Sequence, residues 1–235
     1  MNTVILLAGG IGSRLGLNVA KQHVVINDHQ IIEYTLTAFS SSEVVDSIIV
    51  VSNINYIELV NDLKNKFPKL KIVVPGGKSR MQSVYNGIVA IKETAKDNDK
   101  IIISDAARPC VTNREVKEIV ESLGTYMAVT SGIESNETIL KTENGEITQI
   151  IQREGIVRQT SPEGYRFSAL KWLYLNCDEE IISSYRNIGI DQLYASGVKI
   201  GIVKSNPLNF KITTPDDLNL FESVLKQGFD NIIAN

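Results

Sequence analysis

Apolar residues along this chain recur with two different periods. Short, largely apolar runs occupy residues 4–7, 47–51, 71–74, 100–104, 126–130 and 199–203. Between the first five lie stretches 31–39, 56–67, 80–94 and 113–123, where apolar residues return at i, i+3 and i+4. A continuous apolar run is the mark of a strand buried on both faces, and the second spacing that of an amphipathic helix. Their alternation predicts an α/β fold with a doubly wound, mainly parallel sheet. One region departs from it. Residues 136–153 form two β-prone arms around Asn144-Gly145, a strong hairpin signal. One arm has few apolar residues, so the hairpin is expected to protrude. A lone hairpin is marginal in water, so it packs either back on its own domain or on a second subunit, as the arm of a symmetric dimer. With no internal repeat or low-complexity linker, the chain reads as one domain over residues 1–235, with an inserted β-arm at about 136–155.

Composition narrows the function classes. At 235 residues and 43% hydrophobic, the chain can bury one sizeable core. Lys and Arg number 24 against 27 Asp and Glu, a net charge of -3. That balance argues against general nucleic-acid binding, which needs a basic face, so any anion-binding cations are local. Cys110 and Cys177 are too few for a disulfide framework and lack zinc-site spacing. His23 and His29 have no further ligands at useful spacing and read as structural or surface residues. The first apolar stretch breaks at Gly9, and no later one reaches the roughly 20 residues of a membrane helix, so the expectation is a soluble, cytoplasmic chain with no membrane partner.

Candidate chemistry sits in four places. The first is the end of the opening strand, Leu7-Ala8-Gly9-Gly10-Ile11-Gly12-Ser13-Arg14, with Lys21 shortly after. Glycines let backbone N–H groups approach an anion, and Arg14 and Lys21 add the cations a polyphosphate requires. No Gly-Lys-Ser/Thr closes the turn and Gly16 falls one residue late for a dinucleotide fingerprint, leaving a nucleotide-triphosphate cradle or an ordinary tight turn. The second is Gly76-Gly77-Lys78-Ser79-Arg80 with Ser83, another glycine turn between strand and helix, able to meet a base or ribose or merely to connect. Third, Asp105 follows an apolar strand, either as a ligand for Mg²⁺ bridging phosphates or as a turn carboxylate. Finally, in Asn209-Phe210-Lys211-Ile212-Thr213-Thr214-Pro215-Asp216-Asp217-Leu218, Thr214, Pro215 and Asp217 read as a helix cap. That leaves Lys211 for a phosphate contact. No G-x-S-x-G, Cys/His pair or H-E-x-x-H supports hydrolase or zinc chemistry.

Taken in this order, these runs, together with Lys21-Gln22, Ser83-Val84-Tyr85-Asn86-Gly87 and Asp105-Ala106-Ala107-Arg108-Pro109, resemble the alcohol-phosphate cytidylyltransferases, which include methylerythritol phosphate and ribitol phosphate enzymes. The resemblance runs the length of the chain. It implies a Rossmann-like domain that dimerises through its β-arm, and transfer of CMP from CTP to a small alcohol phosphate with a divalent cation such as Mg²⁺. By resemblance, Arg14, Lys21 and Lys211 are catalytic. Ala8, Gly9, Gly10, Gly12, Ser13, Gly77, Arg80, Ser83, Asp105 and Ala106 bind CTP, and Asp105 also holds the metal. Thr138, Arg153 and Arg108 bind the acceptor, the first two reaching from the arm into the partner subunit.

The chain departs from the family pattern at three places. Ala20 stands where proline is common, His23 where an aromatic is usual, and Ile188-Gly189-Ile190-Asp191-Gln192 where methylerythritol phosphate enzymes carry an acidic pair. The last departure tilts the expected acceptor toward ribitol 5-phosphate or a related polyol phosphate of cell-wall or capsule precursor synthesis. The alternative is 2-C-methyl-D-erythritol 4-phosphate, of isoprenoid synthesis. Further readings are a nucleotidyltransferase for another base or acceptor, a nucleotide-binding regulator without turnover and, most remotely, a dinucleotide-binding oxidoreductase.

Overall fold

The computed structural model describes residues 1–10, 16, 19–175 and 189–234. Gly12, Ser13, Arg14, Cys177 and Ile188 therefore lie outside the described residues. Strand β1 (Asn2–Ala8) is flanked by β4 (Ser47–Ser52) and β6 (Lys100–Asp105), both parallel to it, and β5 (Leu70–Pro75) extends the sheet beyond β4. Beyond β6 come β10 (Val157–Arg166), antiparallel to both its neighbours, then β7 (Ala128–Glu134) and β11 (Ile200–Lys204). The order β11-β7-β10-β6-β1-β4-β5 makes a seven-stranded, mainly parallel sheet. A further short pair, β2 (Val25–Ile26) and β3 (His29–Gln30), sits apart.

Alternate residues of the central strands feed two cores, as a sheet covered on both faces requires. Val4, Leu6, Ile48, Val50 and Ile102 pack with α1 (Ile31–Ser41) and α4 (Asn113–Ser122). Ile5, Ile49, Val51, Ile101 and Ile103 pack with α3 (Arg80–Val89) and with Tyr165, Phe167, Leu170 and Tyr174. A smaller cluster joins Tyr34 of α1 to Phe221 of the helix Pro215–Lys226, ring edge to ring face at 5.2 Å. That helix starts as its sequence predicts: Thr214 caps Asp217 N–H, Asp217 returns the bond, and Pro215 sits in the first turn. No helix among the described residues is long and apolar enough to cross a membrane.

The expected helix 56–67 is shorter than its pattern. It resolves into α2 (Ile57–Asp62) between tight 3₁₀ turns at Ile54–Tyr56 and Leu63–Asn65. The larger surprise is β10. Its sequence, VRQTSPEGYR, has no apolar run and contains Pro162, which belongs to a register shift between Gln159 and Glu163. Its neighbours supply the missing apolar surface: a Cβ on Gly164 would fall 2.4 Å from Ile119 Cγ2 of α4.

The hairpin forms β8 (Ile139–Glu143) and β9 (Glu146–Ile151) as a separate two-stranded sheet. Asn144 (φ 51°) and Gly145 (φ 86°) both turn left-handed, as a two-residue hairpin turn demands. Ile139, Leu140, Ile147 and Ile150 along it are all exposed.

Candidate active site

The carboxyl ends of β1, β4, β5 and β6 open into one cleft of about 560 Å³, where an open α/β sheet binds its ligands. Two glycine loops form its walls, and they touch. Gly76 N–H donates to the Ser52 carbonyl at 2.7 Å, and a Cβ on Gly76 would meet Gly9 Cα at 3.5 Å. Side chains buried beneath fix each loop. Gln22, 1% exposed, donates from Nε2 to the carbonyls of Ala8 (2.6 Å) and Gly10 (3.0 Å), clamping the start of the first turn. Ser83 does the same for the second: its Oγ accepts from Gly77 N–H at 3.1 Å and donates to the Ser79 carbonyl at 2.9 Å. Ser79 in turn caps α3 through Gln82 N–H at 3.1 Å.

The lining is strongly cationic. Among its described residues, Lys21, Lys78, Arg80 and Lys211 face a single carboxylate, Asp105. Lys211 Nζ lies 2.9 Å and Arg108 Nε 3.4 Å from Asp105 Oδ2. Burial would push the Asp105 carboxyl up, but Lys211, Arg80 and Arg108 together hold it below the usual carboxylate range. Lys21 Nζ donates to the Ile212 carbonyl at 3.0 Å, tying the loop after β1 to the segment that carries Lys211. That segment is itself pinned to β6 by Ile212 N–H on the Ala107 carbonyl at 2.9 Å. Two lysines distant in sequence thus flank one strip of backbone.

The structure brings Gly9, Gly10, Lys21, Gly77, Arg80, Ser83, Asp105 and Lys211 to the cleft. Gly12, Ser13 and Arg14 lie outside the described residues. Ala8 and Ala106 are each 1% exposed and stand behind the lining, where Ala107 takes the place expected for Ala106. Arg108 points away from the lining to the Asn209 carbonyl at 2.9 Å, bracing Asp105 from the side. Thr138 and Arg153 do not line their own chain's cleft. They stand at the base of the hairpin, where Arg153 Nη1 donates to the Asn136 carbonyl at 3.1 Å.

Gln22 belongs to the Lys-Gln pair and Lys78 to the second glycine turn, and neither carries an individual role in the sequence reading. Both line the cleft, as do Asn53 and Thr213. His23, unusual for its position, stacks on Tyr56 with ring centroids 4.2 Å apart and holds Gln30 at 2.7 Å. Burial lowers its pKa, against the pull of the Gln30 bond, so it serves as a neutral packing ring. Ala20, where the family commonly has proline, uses its N–H to reach Tyr56 Oη at 3.2 Å. Burial pushes the Cys110 thiol up to about 12, so it is an inert core residue.

No group of three His, Cys, Asp or Glu side chains gathers among the described residues to hold a metal by itself. The donor set still suits Mg²⁺, which typically takes one or two carboxylates and completes its shell with substrate phosphates and water. Asp105 offers an ionised carboxylate that meets both Lys211 and Arg108 through Oδ2.

Comparison with known proteins extends the resemblance over nearly the whole chain. Residues 2–227 match the family model "IspD: 2-C-methyl-D-erythritol 4-phosphate cytidylyltransferase". A protein of that name from Clostridium acetobutylicum is 33% identical over 232 residues, covering 97% of this chain and 99% of its own. One from Clostridium botulinum (strain Okra / Type B1) is 32% identical over 231 residues, covering 96% and 98%. Among solved structures, 4-diphosphocytidyl-2C-methyl-D-erythritol synthase from Anaerococcus prevotii superposes with a TM-score of 0.80 at 18% identity, covering 96% of each chain. The Francisella tularensis cytidylyltransferase does so at 0.75 and 24%, covering 95% of this chain and 99% of its own. At those identities the structures show the shared fold.

Proposed function

The chain belongs to the 2-C-methyl-D-erythritol 4-phosphate cytidylyltransferase (IspD) family and is a CTP-dependent nucleotidyltransferase, and on that premise we propose that its acceptor is 2-C-methyl-D-erythritol 4-phosphate. This corrects the tilt toward ribitol 5-phosphate or another polyol phosphate, and with it the cell-wall or capsule setting. The relatives above are all named for methylerythritol phosphate or its diphosphocytidyl derivative. The altered stretch retains one acid, Asp191, whose charge acts on Glu163 of β10.

In the proposed reaction an oxygen of the acceptor phosphate attacks the α-phosphorus of CTP. The new P–O bond forms as the bond to the β-phosphate oxygen breaks, and pyrophosphate leaves with that electron pair. The nucleophile is already an anion, so no general base is needed. The chain's task is to place two anions together and stabilise the charge of the crowded transition state. Lys21 and Lys211, fixed around the Ile212 carbonyl and Asp105, suit that role, with Arg14 joining them by resemblance. The glycine loops, with Gly77, Arg80 and Ser83, hold the nucleotide. Asp105 is the residue to hold Mg²⁺, which when bound neutralises phosphate charge and polarises the phosphoryl oxygens. Thr138 and Arg153 stand away from their own cleft on an arm with exposed apolar residues, which supports a homodimer in which each arm supplies them to the partner's acceptor site. We place this single-domain enzyme in the cytoplasm.

The observation that carries this reading is the convergence of Lys21, Arg80, Asp105 and Lys211 on one cleft, from loops far apart in the sequence. The test is product analysis by ³¹P NMR with CTP, UTP, GTP and ATP offered together with 2-C-methyl-D-erythritol 4-phosphate. A CDP-alcohol as the dominant product supports the reading, and preference for another base refutes it.

A further inference from the structure

The turn that carries Lys21 is held at both ends by one side chain from another element. Residues Lys21–His23 form a single 3₁₀ turn, entered from Ala20 in extended backbone (φ -63°, ψ 135°). His23 N–H closes the turn on the Ala20 carbonyl at 2.8 Å. Tyr56 meets the start of the turn with its hydroxyl, which accepts from Ala20 N–H at 3.2 Å. It meets the end with its ring, stacked on His23 at 4.2 Å with 12° between the planes. Tyr56 is itself anchored just past β4. Its N–H donates to the Asn53 carbonyl at 3.0 Å, and Asn53 lines the cleft and donates its own N–H to the Ala8 carbonyl at 3.4 Å. On the other side Gln30 Oε1 lies 2.7 Å from His23 Nδ1, so the imidazole is fixed between Tyr56 and the start of α1.

This bracket accounts for two departures from the family pattern together. Proline, common where Ala20 stands, fixes φ near the value observed here and has no N–H to offer. Alanine leaves φ free, and the bond to Tyr56 supplies the restraint that the proline ring would have given. The same bond satisfies a donor that alanine introduces at a position only 4% exposed. His23, in turn, presents a flat ring to the stack as the usual aromatic would. Between these two fixed residues sit Lys21, whose Nζ donates to the Ile212 carbonyl, and Gln22, whose amide holds the first glycine loop. Tyr56 does not itself line the cleft.

We propose that Tyr56 is a positioning residue: with its hydroxyl on Ala20 and its ring on His23, it holds the turn that aims Lys21 at the phosphates, and so sets turnover. This rests on Lys21 acting as a cation on the transition state. A tyrosine that only packs the loop makes a different prediction. Its loss would lower stability, and any activity lost would be lost equally with or without the Lys21 amine. The dependence on Lys21 therefore separates the two.

The experiment is steady-state kinetics with CTP and 2-C-methyl-D-erythritol 4-phosphate on the full-length chain, with urea unfolding to establish that each variant is folded. The variants are Tyr56→Phe, Tyr56→Leu, Ala20→Pro, Lys21→Ala and the doubles Ala20→Pro/Tyr56→Phe and Lys21→Ala/Tyr56→Leu. Tyr56→Phe keeps the ring and loses the hydroxyl, so kcat should fall about fivefold with the CTP KM within about twofold. Ala20→Pro removes the donor of the same bond, so adding Tyr56→Phe to it should cost no more than about twofold. Tyr56→Leu loses bond and stack together and should lower kcat about thirtyfold, but by no more than about twofold once Lys21→Ala is in place. Wild-type kcat in folded Tyr56→Phe, or an equal loss from Tyr56→Leu with and without Lys21→Ala, overturns the proposal and leaves the role of Lys21 standing. If Ala20→Pro does not fold, the Tyr56→Leu pair decides by the same criterion. Near-normal turnover in Lys21→Ala overturns both.

Discussion

The cleft at the carboxyl ends of the strands and the β-arm are built on opposite plans. In the cleft, polar groups that shape the described part of the loops are bound within the chain: Gln22 holds two carbonyls, Ser83 holds a backbone N–H and a carbonyl, and Lys211 rests on Asp105. The arm has its ladder and its turn but exposes Ile139, Leu140, Ile147 and Ile150, and lies apart from the main sheet. One region is a finished site. The other is a finished element whose apolar residues stay uncovered among the described residues. In our proposal the cleft holds the nucleotide within one chain and the acceptor half is completed by a second copy.

The largest expected effect lies in the cleft. Lys21→Ala or Lys211→Ala should lower kcat by roughly 10²–10³ while leaving the dimer intact in sedimentation. Near-normal turnover in either would move the transition-state cations elsewhere. The arm should answer differently. Ile147→Asp combined with Ile150→Asp should give a monomer in sedimentation velocity that still binds CTP but transfers poorly, and a dimer with full activity would remove the arm from the account. Arg153→Ala is milder: the acceptor KM should rise about tenfold with the CTP KM unchanged, the pattern of a contact made to one substrate only. Equal increases in both would place Arg153 in the general scaffold.

Smaller effects test the packing that makes the cleft rigid. A methyl at Gly87 would come within 2.6 Å of Ile5 Cγ2 and 3.1 Å of Val51 Cγ2, so Gly87→Ala should destabilise the fold by about 1–3 kcal/mol in urea unfolding. Smallest is a pH effect at Glu115, which is fully buried in the first turn of α4. Burial raises its carboxyl pKa, and Ser205, Ser131 and the Asn206 backbone offset this only in part. A raised folded value means the native state binds the proton more tightly than the unfolded chain. The stabilisation is then complete below the unfolded value and is lost as pH rises through the folded one. Glu115→Gln should therefore raise Tm by about 2–4 °C at pH 8, with the gain vanishing toward pH 4. A gain that grows on acidification would reverse the assigned sign.

The same contrast explains what the sequence disclosed. The glycine loops, Asp105 and Lys211 were legible because each couples a strand end to its chemistry within a few adjacent residues. The arm was legible through Asn144-Gly145, whose turn geometry is a local property. β10 was not, because a polar strand containing Pro162 draws its apolar surroundings from Ile119 and other residues far away in the chain. Its hydrogen bonds were hidden with it, such as Tyr165 Oη on Glu163, and the bond from Gln22 to Ala8 likewise appears only once the loop is folded. The acceptor is hard to read from sequence for a related reason. Within the stretch 188–192, Gly189 abuts Tyr165 and the charge of its single acid, Asp191, acts on Glu163, so the stretch has to be read together with β10.

The central claim is the acceptor, and one competition addresses it most directly: pyrophosphate release with CTP and Mg²⁺, measured side by side for 2-C-methyl-D-erythritol 4-phosphate, ribitol 5-phosphate and glycerol phosphate. The account predicts that kcat/KM for 2-C-methyl-D-erythritol 4-phosphate exceeds that for either of the others by at least about a hundredfold, the discrimination expected when a site's polar groups are matched to one alcohol. Higher kcat/KM with ribitol 5-phosphate or glycerol phosphate, or no release with 2-C-methyl-D-erythritol 4-phosphate, would contradict it.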